Sequence, residues 1–196
     1  MKRKTGVPRE EWMEYSTCFT RSLEEVREVW FEDTIDILNE VSRERGFVTV
    51  DAARMFLGGE VELILKSFQL YLASVLIAGR DYVSQADYDM FIDILDAQVC
   101  GSDYEECMEY FETLNGQETA EEGKQYIEEM VVSSISEKPF NEYQMNLLGD
   151  MIQLLGALTL AITAEIFNDK KTSKEFRERV DALFGIDDAS EQFVEE

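Results

Sequence analysis

The sequence predicts an all-α fold: a single-domain helical bundle of about seven to eight helices, with two similar helix-turn-helix hairpins. Only two prolines occur, Pro8 and Pro139. Long runs of Glu, Leu, Met, Ala and Lys show little of the β-branched alternation that marks strands. In addition, capping patterns, in which a Ser or Thr is followed three residues later by an acid or Gln, recur just ahead of apolar periodicity and mark helix starts.

The capping patterns place the later helix starts in order. They are Ser84 with Asp87, Ser102 with Glu105, Thr119 with Glu122, Thr172 with Glu175, and the related pair Asn141 and Gln144. In each, the first side chain accepts a hydrogen bond from an otherwise unpaired backbone N–H. We therefore place helices at residues 9–45 (with Ser22 as a candidate break), 50–57, 60–78, 85–100, 103–114, 120–136, 141–168 and 173–184.

Two helices indicate how these elements are arranged. In the first, Trp12, Phe19 and Val26 follow near-heptad spacing, which marks a seam to be buried on the domain or against a second copy in a homodimer. Helix 141–168 is apolar on most of its circumference and should be central; its Gly149 and Gly156 share one face, where a neighbour could approach closely or a small residue is merely tolerated. We assign residues 1–58 to an N-terminal helical extension that packs on or bridges from the core, 59–186 to the helical core, and 187–196 to a frayed tail.

The net charge of −24 is concentrated in the middle of the chain. From Asp81 to Asp169 there are 20 acidic residues against only Lys124 and Lys138. Such a field repels nucleic acid and anionic lipid and attracts cations or basic proteins, and salt screens it within about 10 Å at 0.1 M. The sequence therefore predicts a protein partner with a basic surface and no direct nucleic-acid binding.

The chain contains no histidine, which argues against an enzyme. Ser-His and Cys-His nucleophile pairs and nearly all zinc enzyme sites are thereby excluded. Cys18, Cys100 and Cys107 lack metal-type spacing, and we expect reduced thiols in a cytoplasmic protein. The basic N-terminus is followed by no apolar run, so we expect no signal peptide, and the most apolar stretch, residues 154–164, is shorter than the ~20 residues that span a bilayer.

The two predicted hairpins resemble each other at an offset of 88 residues. Residues 70–95 (LYLASVLIAGRDYVSQADYDMFIDIL) align with residues 158–183 (LTLAITAEIFNDKKTSKEFRERVDAL). The identical pairs are Leu70/Leu158, Leu72/Leu160, Ala73/Ala161, Asp81/Asp169, Asp93/Asp181 and Leu95/Leu183. Each copy reads as an apolar helix, a polar turn with an aspartate, a capped start and an amphipathic helix, which indicates an internal duplication or a shared hairpin plan.

These hairpins resemble those of the TerB-like (tellurite resistance protein B) family, whose all-helical domains carry an apolar helix, an Asp-Gly-Glu-Ile/Val turn, a Ser/Thr-x-x-Glu cap and another helix. The corresponding segments of this sequence are IAGRDYVSQADYDMFIDIL and IFNDKKTSKEFRERVDALFGI. The resemblance covers residues 70–95 and 158–186. It implies a cytosolic, non-catalytic domain linked to stress or defence systems, with acidic residues suspected of binding divalent metal. The chain departs from the family at Arg80 and Lys170, where the family keeps acid or glycine.

The acidic turns and caps are the candidate metal ligands, and a divalent cation is the one cofactor considered. These candidates are Asp81, Asp87, Asp169 and Glu175. Asp89, Asp93 and Asp96 fall at i, i+4 and i+7 on one helix face, where like charges repel by a few tenths of a kcal/mol per pair. Solvation of the aspartates makes this repulsion tolerable, and a bound cation would remove it. Calcium prefers loops that add backbone carbonyls, and the chain has no such loop motif, so a solvated face is the simpler interpretation.

A second acidic segment, residues 102–122, contains eight acids and no basic residue. Glu105, Glu109 and Glu112 line one side of its helix and, with Asp89, Asp93 and Asp96, form the predicted partner-facing surface. The leading hypothesis is a non-catalytic, acidic, cytosolic interaction or regulatory domain of TerB-like type. One alternative is an acidic nucleic-acid mimic that inhibits a basic DNA-binding protein. Another is a helical protein whose carboxylates bind magnesium or calcium.

Overall fold

Eight α-helices form the part of the chain that the computed structural model describes, which comprises residues 9–33, 35–78, 80, 83–95, 104–117 and 119–184. They are α1 (Arg9–Asp33), α2 (Ile35–Arg45), α3 (Val50–Ala78), α4 (Gln85–Leu95), α5 (Tyr104–Asn115), α6 (Ala120–Ile135), α7 (Glu142–Ile166) and α8 (Lys170–Leu183). No strand occurs within these ranges, and the all-α prediction is confirmed.

Two of the predicted capping patterns form complete capping boxes. The Thr119 side chain accepts from the Glu122 backbone N–H at 3.2 Å, and the Glu122 carboxylate accepts from the Thr119 N–H at 3.0 Å. Asn141 and Gln144 make the same reciprocal pair at 3.0 and 2.9 Å. Both boxes satisfy N–H groups that have no partner inside the helix, which fixes the starts of α6 and α7.

Two predicted boundaries in the N-terminal third are wrong. Ser22 does not break the first helix, because its hydroxyl donates to the Cys18 carbonyl one turn earlier at 2.8 Å and remains inside α1. The first helix instead ends at Asp33, and α2 begins at Ile35. The predicted helices 50–57 and 60–78 are one helix, α3, which continues through Gly58 and Gly59. Each glycine costs about 1 kcal/mol in a helix interior, and the packing of α3 against several neighbours outweighs that cost. The predicted domain boundary between residues 58 and 59 therefore lies inside α3.

Helices α3 and α7 cross at the centre of the bundle. The crossing lies at Gly156, where an added Cβ would be 3.4 Å from Leu72 Cδ1 and 3.8 Å from Phe68 Cε1. Around this pair, α1 packs on α7, while α5 and α6 pack on α3. Gly149 has a different environment, because its added Cβ would meet only the Glu128 carboxylate, at 3.5 Å. The close approach predicted for both glycines thus occurs at Gly156.

The apolar seam of the first helix lies in this core. Phe19, Leu23, Val26 and Trp30 of α1 are at most 4% exposed. Leu23, Val26 and Trp30 belong to the main core cluster, whereas Phe19 packs in a second cluster. Of the two alternatives left open by the sequence, the described part of the seam thus packs within the chain.

The two hairpins are equivalent only in part. Helices α4 and α8 begin at Gln85 and Lys170, 85 positions apart, whereas α3 and α7 end at Ala78 and Ile166, 88 positions apart. Helix α2 also falls within α6 at this offset. The crossing residue Gly156 and its neighbour Phe68 are themselves 88 positions apart. The likeness seen in the hairpin sequences therefore extends to the central helix pair.

Two helices have the length and composition of membrane spans. They are the segment Val61–Ala78 of α3 and helix α7, with mean hydropathies of 1.6 and 1.7. In the bundle, 56% and 61% of these segments are buried. Their apolar faces therefore form the core of the described structure.

Candidate functional site

Helix α5 has a buried face and an acidic face. Cys107 and Leu114 are fully buried (0% exposed), and the helix packs on α3. On the other side, four carboxylates reach solvent: Glu105, Glu106, Glu109 and Glu112. We call these four residues the α5 acidic face. None of the four forms an ion pair with a basic side chain in the described ranges.

The spacing of these residues sets the geometry of the α5 acidic face. With a rise of about 1.5 Å per residue, Glu109 and Glu112 stand ~6 and ~10 Å along the helix axis from Glu105. Glu105 and Glu106 lie in the first turn, where the helix dipole favours negative charge. This stabilisation by the helix dipole weakens towards the C-terminal end of α5, so Glu112 is positioned by the helix backbone alone. The result is a short row of exposed negative charges on a helix that is anchored to the core.

The aspartates of α4 have local roles or face solvent. Ser84 Oγ accepts from the Asp87 backbone N–H at 3.2 Å and donates to the Asp87 carboxylate at 2.6 Å, so this predicted pair does cap the helix. Asp89 accepts from Gln85 Nε2 at 2.7 Å, and Asp93 is exposed. Asp81 and Asp96, like Ser102 of the predicted α5 cap, fall outside the described residues.

The second hairpin is capped by Asp169, which corrects the predicted cap at Thr172. One Asp169 carboxylate oxygen accepts from the Thr172 N–H at 3.1 Å, and the other accepts from the Thr172 hydroxyl at 2.8 Å. Helix α8 therefore starts at Lys170, three residues earlier than predicted. Asn168 precedes the cap with a left-handed φ of 57°, a conformation that asparagine tolerates better than most residues. Glu175 is an exposed residue within α8.

The described candidate ligands do not form a metal site. Asp87 and Asp169 already accept hydrogen bonds as part of helix caps. Within the ranges that the structure covers, no group of three or more Cys, Asp or Glu residues could hold a metal ion together. Magnesium and calcium take about six to eight oxygen ligands, more than an isolated capping carboxylate supplies.

A network of charges joining α1 to α3 was not anticipated from the sequence. Glu62 accepts from Arg27 Nη1 at 2.6 Å and from Lys66 Nζ at 2.7 Å. Burial raises the pKa of Glu62, but the hydrogen bonds and charges of Lys66 and Arg27 outweigh it, so the pKa is lowered overall. The Glu62–Lys66 spacing of four residues was a readable signal, whereas the link to Arg27 depends on tertiary packing.

The groove between the end of α7 and α8 carries balanced charge. It encloses about 510 Å³ and is lined by three cations (Lys170, Lys174 and Arg177), three carboxylates (Glu165, Glu178 and Asp181), Asn168 and Ser173. Arg177 is already bound to the Glu165 carboxylate through Nε at 2.9 Å and Nη2 at 2.6 Å. Because its charges cancel, the groove does not select an anion or a cation.

The cysteines differ from the expectation of three reduced thiols. Cys107 is disulfide-bonded, whereas Cys18 is free and exposed. Ser67 Oγ on α3 lies 3.3 Å from Cys107 Sγ. The expectation was therefore wrong for Cys107, because composition and spacing do not reveal which sulfurs folding brings together. Cys100 is not among the described residues.

Comparison of the chain with protein-family models, curated proteins and solved structures finds no match.

Proposed function

We propose that this chain is a non-catalytic, acidic, cytoplasmic interaction or regulatory domain of TerB-like type. Its α5 acidic face binds the basic surface of a protein partner. The observation that carries the proposal is the arrangement of α5: four exposed carboxylates without cationic partners in the described ranges stand on a helix that Cys107 and Leu114 fix to the core.

The surrounding charge favours such a partner. Of the net charge of −24, the segment from Asp81 to Asp169 carries −18, since its 20 acidic residues are opposed by two lysines. A field of this sign accelerates encounter with a basic protein and repels acidic competitors. Exposed ion pairs contribute about 0.2–1 kcal/mol each. The α5 acidic face therefore sets association rate and specificity, while affinity also needs contacts beyond these charges.

The family and non-enzyme parts of the proposal have separate support. The family proposal is supported by the sequence likeness of residues 70–95 and 158–183, which fall on the helix pairs α3–α4 and α7–α8. The lack of histidine removes the commonest acid–base catalyst. A link to stress or defence follows from the family resemblance alone.

The experiment measures the affinity of the wild-type chain and of two variants for one defined probe. The α5 variant carries Glu105→Gln, Glu109→Gln and Glu112→Gln; the matched control carries Glu24→Gln, Asp150→Asn and Asp181→Asn, three exposed acids on other helices. Both lose three negative charges. The probe is a labelled 15-residue lysine peptide, with Kd measured by fluorescence anisotropy at two salt concentrations. Three lost ion pairs should weaken binding by the α5 variant by about 3- to 150-fold relative to the control. Equal affinities of the two variants would reject the proposal.

The nucleic-acid mimic is the second candidate, and the charge spacing of α5 favours it. The α5 acidic face presents four carboxylates over ~10 Å of helix axis, and a DNA strand presents a phosphate about every 3.4 Å. A mimic displaces duplex DNA from a basic DNA-binding protein, and the α5 variant displaces it less well than the matched control. Absence of displacement by the wild-type chain at concentrations that saturate the lysine peptide would exclude this candidate.

A further inference from the structure

We propose that Asn115 is a site of spontaneous deamidation at the junction of α5 and α6. Helix α5 ends at Asn115, and Gly116 is the next residue. The backbone nitrogen that follows an asparagine can attack the asparagine side-chain amide. Glycine obstructs this attack least, because it has no side chain and its backbone is permissive. The chemistry requires no enzyme, cofactor or partner protein.

The sequence around each asparagine singles out this position. The chain contains five asparagines, and Asn115 alone precedes a glycine. The other four are Asn39, Asn141, Asn146 and Asn168. Each of them precedes glutamate, leucine or aspartate, whose side chains hinder the attacking nitrogen. These four residues therefore serve as internal controls in the same molecule.

The reacting groups at the end of α5 are open to solvent. Asn115 and Gly116 are both exposed, so water and base reach the amide. Within the described structure, a Cβ added at Gly116 would meet only backbone carbonyl oxygens, those of Thr113 at 3.4 Å and Glu112 at 3.6 Å. No described side chain from another helix covers the glycine. The succinimide ring that deamidation requires can therefore form without moving the core.

The Gly116 N–H has to leave its hydrogen bonds before the nitrogen can attack. It is shared between the Glu112 carbonyl at 3.1 Å and the Thr113 carbonyl at 3.2 Å. The next N–H, that of Gln117, donates to the Leu114 carbonyl at 3.1 Å. These bonds close the last turn of the helix, and helix ends open locally at little cost in free energy. Fraying of this turn, without global unfolding, therefore gives access to the reactive geometry.

The reaction proceeds in two steps that balance with solvent water as the only co-reactant. In the first, the Gly116 nitrogen attacks Cγ of Asn115, the bond from Cγ to the amide nitrogen breaks, and ammonia leaves with the proton lost by Gly116. In the second, water adds to either carbonyl of the resulting succinimide and opens the ring. One opening gives aspartate, and the other gives isoaspartate, whose backbone runs through the former side chain. No electrons are exchanged with another molecule.

Both products change the end of α5. The new carboxylate lies at the C-terminal end of the helix, where the helix dipole disfavours negative charge. It also lies three positions after Glu112, a spacing at which like charges repel. In isoaspartate the backbone gains one carbon next to Gly116, which displaces the Gly116 N–H from the Glu112 and Thr113 carbonyls. The modified chain should therefore fray further at the α5–α6 junction.

Peptide mapping of the full wild-type chain by mass spectrometry tests the site. The protein is incubated folded in mildly alkaline buffer, and conversion is followed with time at all five asparagines. The mass gain that accompanies replacement of an amide by an acid should occur at Asn115 before it occurs at any other asparagine. Isoelectric focusing should show a parallel shift to a more acidic species. Conversion of Asn115 only in a urea-unfolded sample, or no faster than at the other four positions, would overturn the proposal.

Three variants separate the chemistry from the fold. Asn115→Gln should lose the acidic shift, because the ring that glutamine would form is less favourable. Gly116→Ala should slow the shift, and the methyl group fits because the nearest atoms lie at ordinary contact distance and Gly116 has no positive φ. Asn146→Gln is the matched control on α7 and should convert as the wild type does. An acidic shift that persists unchanged in Asn115→Gln would assign the modification elsewhere and overturn the site.

Discussion

Replacing Gly156 by leucine should destabilise the fold through the crossing of α3 and α7. An added Cβ at this position would lie 3.4 Å from Leu72 and 3.8 Å from Phe68, so a methyl group just fits. Gly156→Ala should therefore gain up to about 1 kcal/mol from helix propensity. Leucine has a similar propensity, but its additional carbons enter space that Leu72 and Phe68 fill. Overpacking of this kind costs about 1–3 kcal/mol and sometimes more.

We expect Gly156→Leu to be less stable than Gly156→Ala by about 3 kcal/mol and less stable than the wild-type chain by about 2 kcal/mol. For a chain of this size, a loss of 2 kcal/mol lowers Tm by about 4–8 °C. Helical circular dichroism during thermal and urea unfolding measures both quantities. Gly149 is the matched position, since its added Cβ would meet only the movable Glu128 carboxylate. There the leucine and alanine variants should differ by less than about 1 kcal/mol. A Gly156→Leu chain as stable as Gly156→Ala would refute the close crossing.

Three further predictions concern stability. Thr159 Oγ1 is fully buried and has no hydrogen-bond partner in the described structure, so Thr159→Val should leave the free energy of unfolding unchanged or raise it by up to about 1 kcal/mol. Asn141→Ala removes the capping box of α7 and should cost about 1 kcal/mol. Glu62 has a lowered pKa in the fold. Its ionised carboxylate therefore contributes its full stabilisation above the unfolded-state pKa and loses it as the pH falls through the folded-state pKa. The difference in the free energy of unfolding between wild type and Glu62→Gln should therefore shrink on acidification.

Urea unfolding tests all three, and each has its own contrary outcome. A loss of more than about 1 kcal/mol in Thr159→Val would show that a buried water or another group satisfies the hydroxyl. An Asn141→Ala chain as stable as the wild type would mean that the box does not stabilise α7. For Glu62, the free energy of unfolding of wild type and of Glu62→Gln is compared at each pH. The effects of acid on the other carboxylates are common to both chains and therefore subtract out. A difference that does not change between neutral and acidic pH would contradict the lowered pKa.

The sequence predicted those parts of the fold that depend on local signals. Thr119 and Asn141 cap α6 and α7 as expected, because a capping box involves residues only three positions apart. The apolar circumference of α7 correctly indicated a central helix. Local signals failed where packing overrides them: Gly58 and Gly59 suggested a break, yet α3 continues through both.

Sequence reasoning reached less of the candidate site. The exposed side of α5 follows from helical periodicity, so the positions of Glu105, Glu109 and Glu112 were predictable. The Arg27–Glu62 contact joins residues 35 positions apart and appears only after folding. The cap of α8 was misassigned because Asp169 and Thr172 both have capping side chains, and in the structure Asp169, directly after the left-handed residue Asn168, is the one that caps the helix.

The proposed function places a basic partner on the α5 acidic face. The most direct test is a titration of the ¹⁵N-labelled oxidised chain with the 15-residue lysine peptide, followed through backbone amide chemical shifts. We expect the largest shifts on α5, residues 104–115, and we expect the α5 variant to lose them while the matched control keeps them. Shifts spread evenly over all acidic helices, or concentrated on α4, would contradict it.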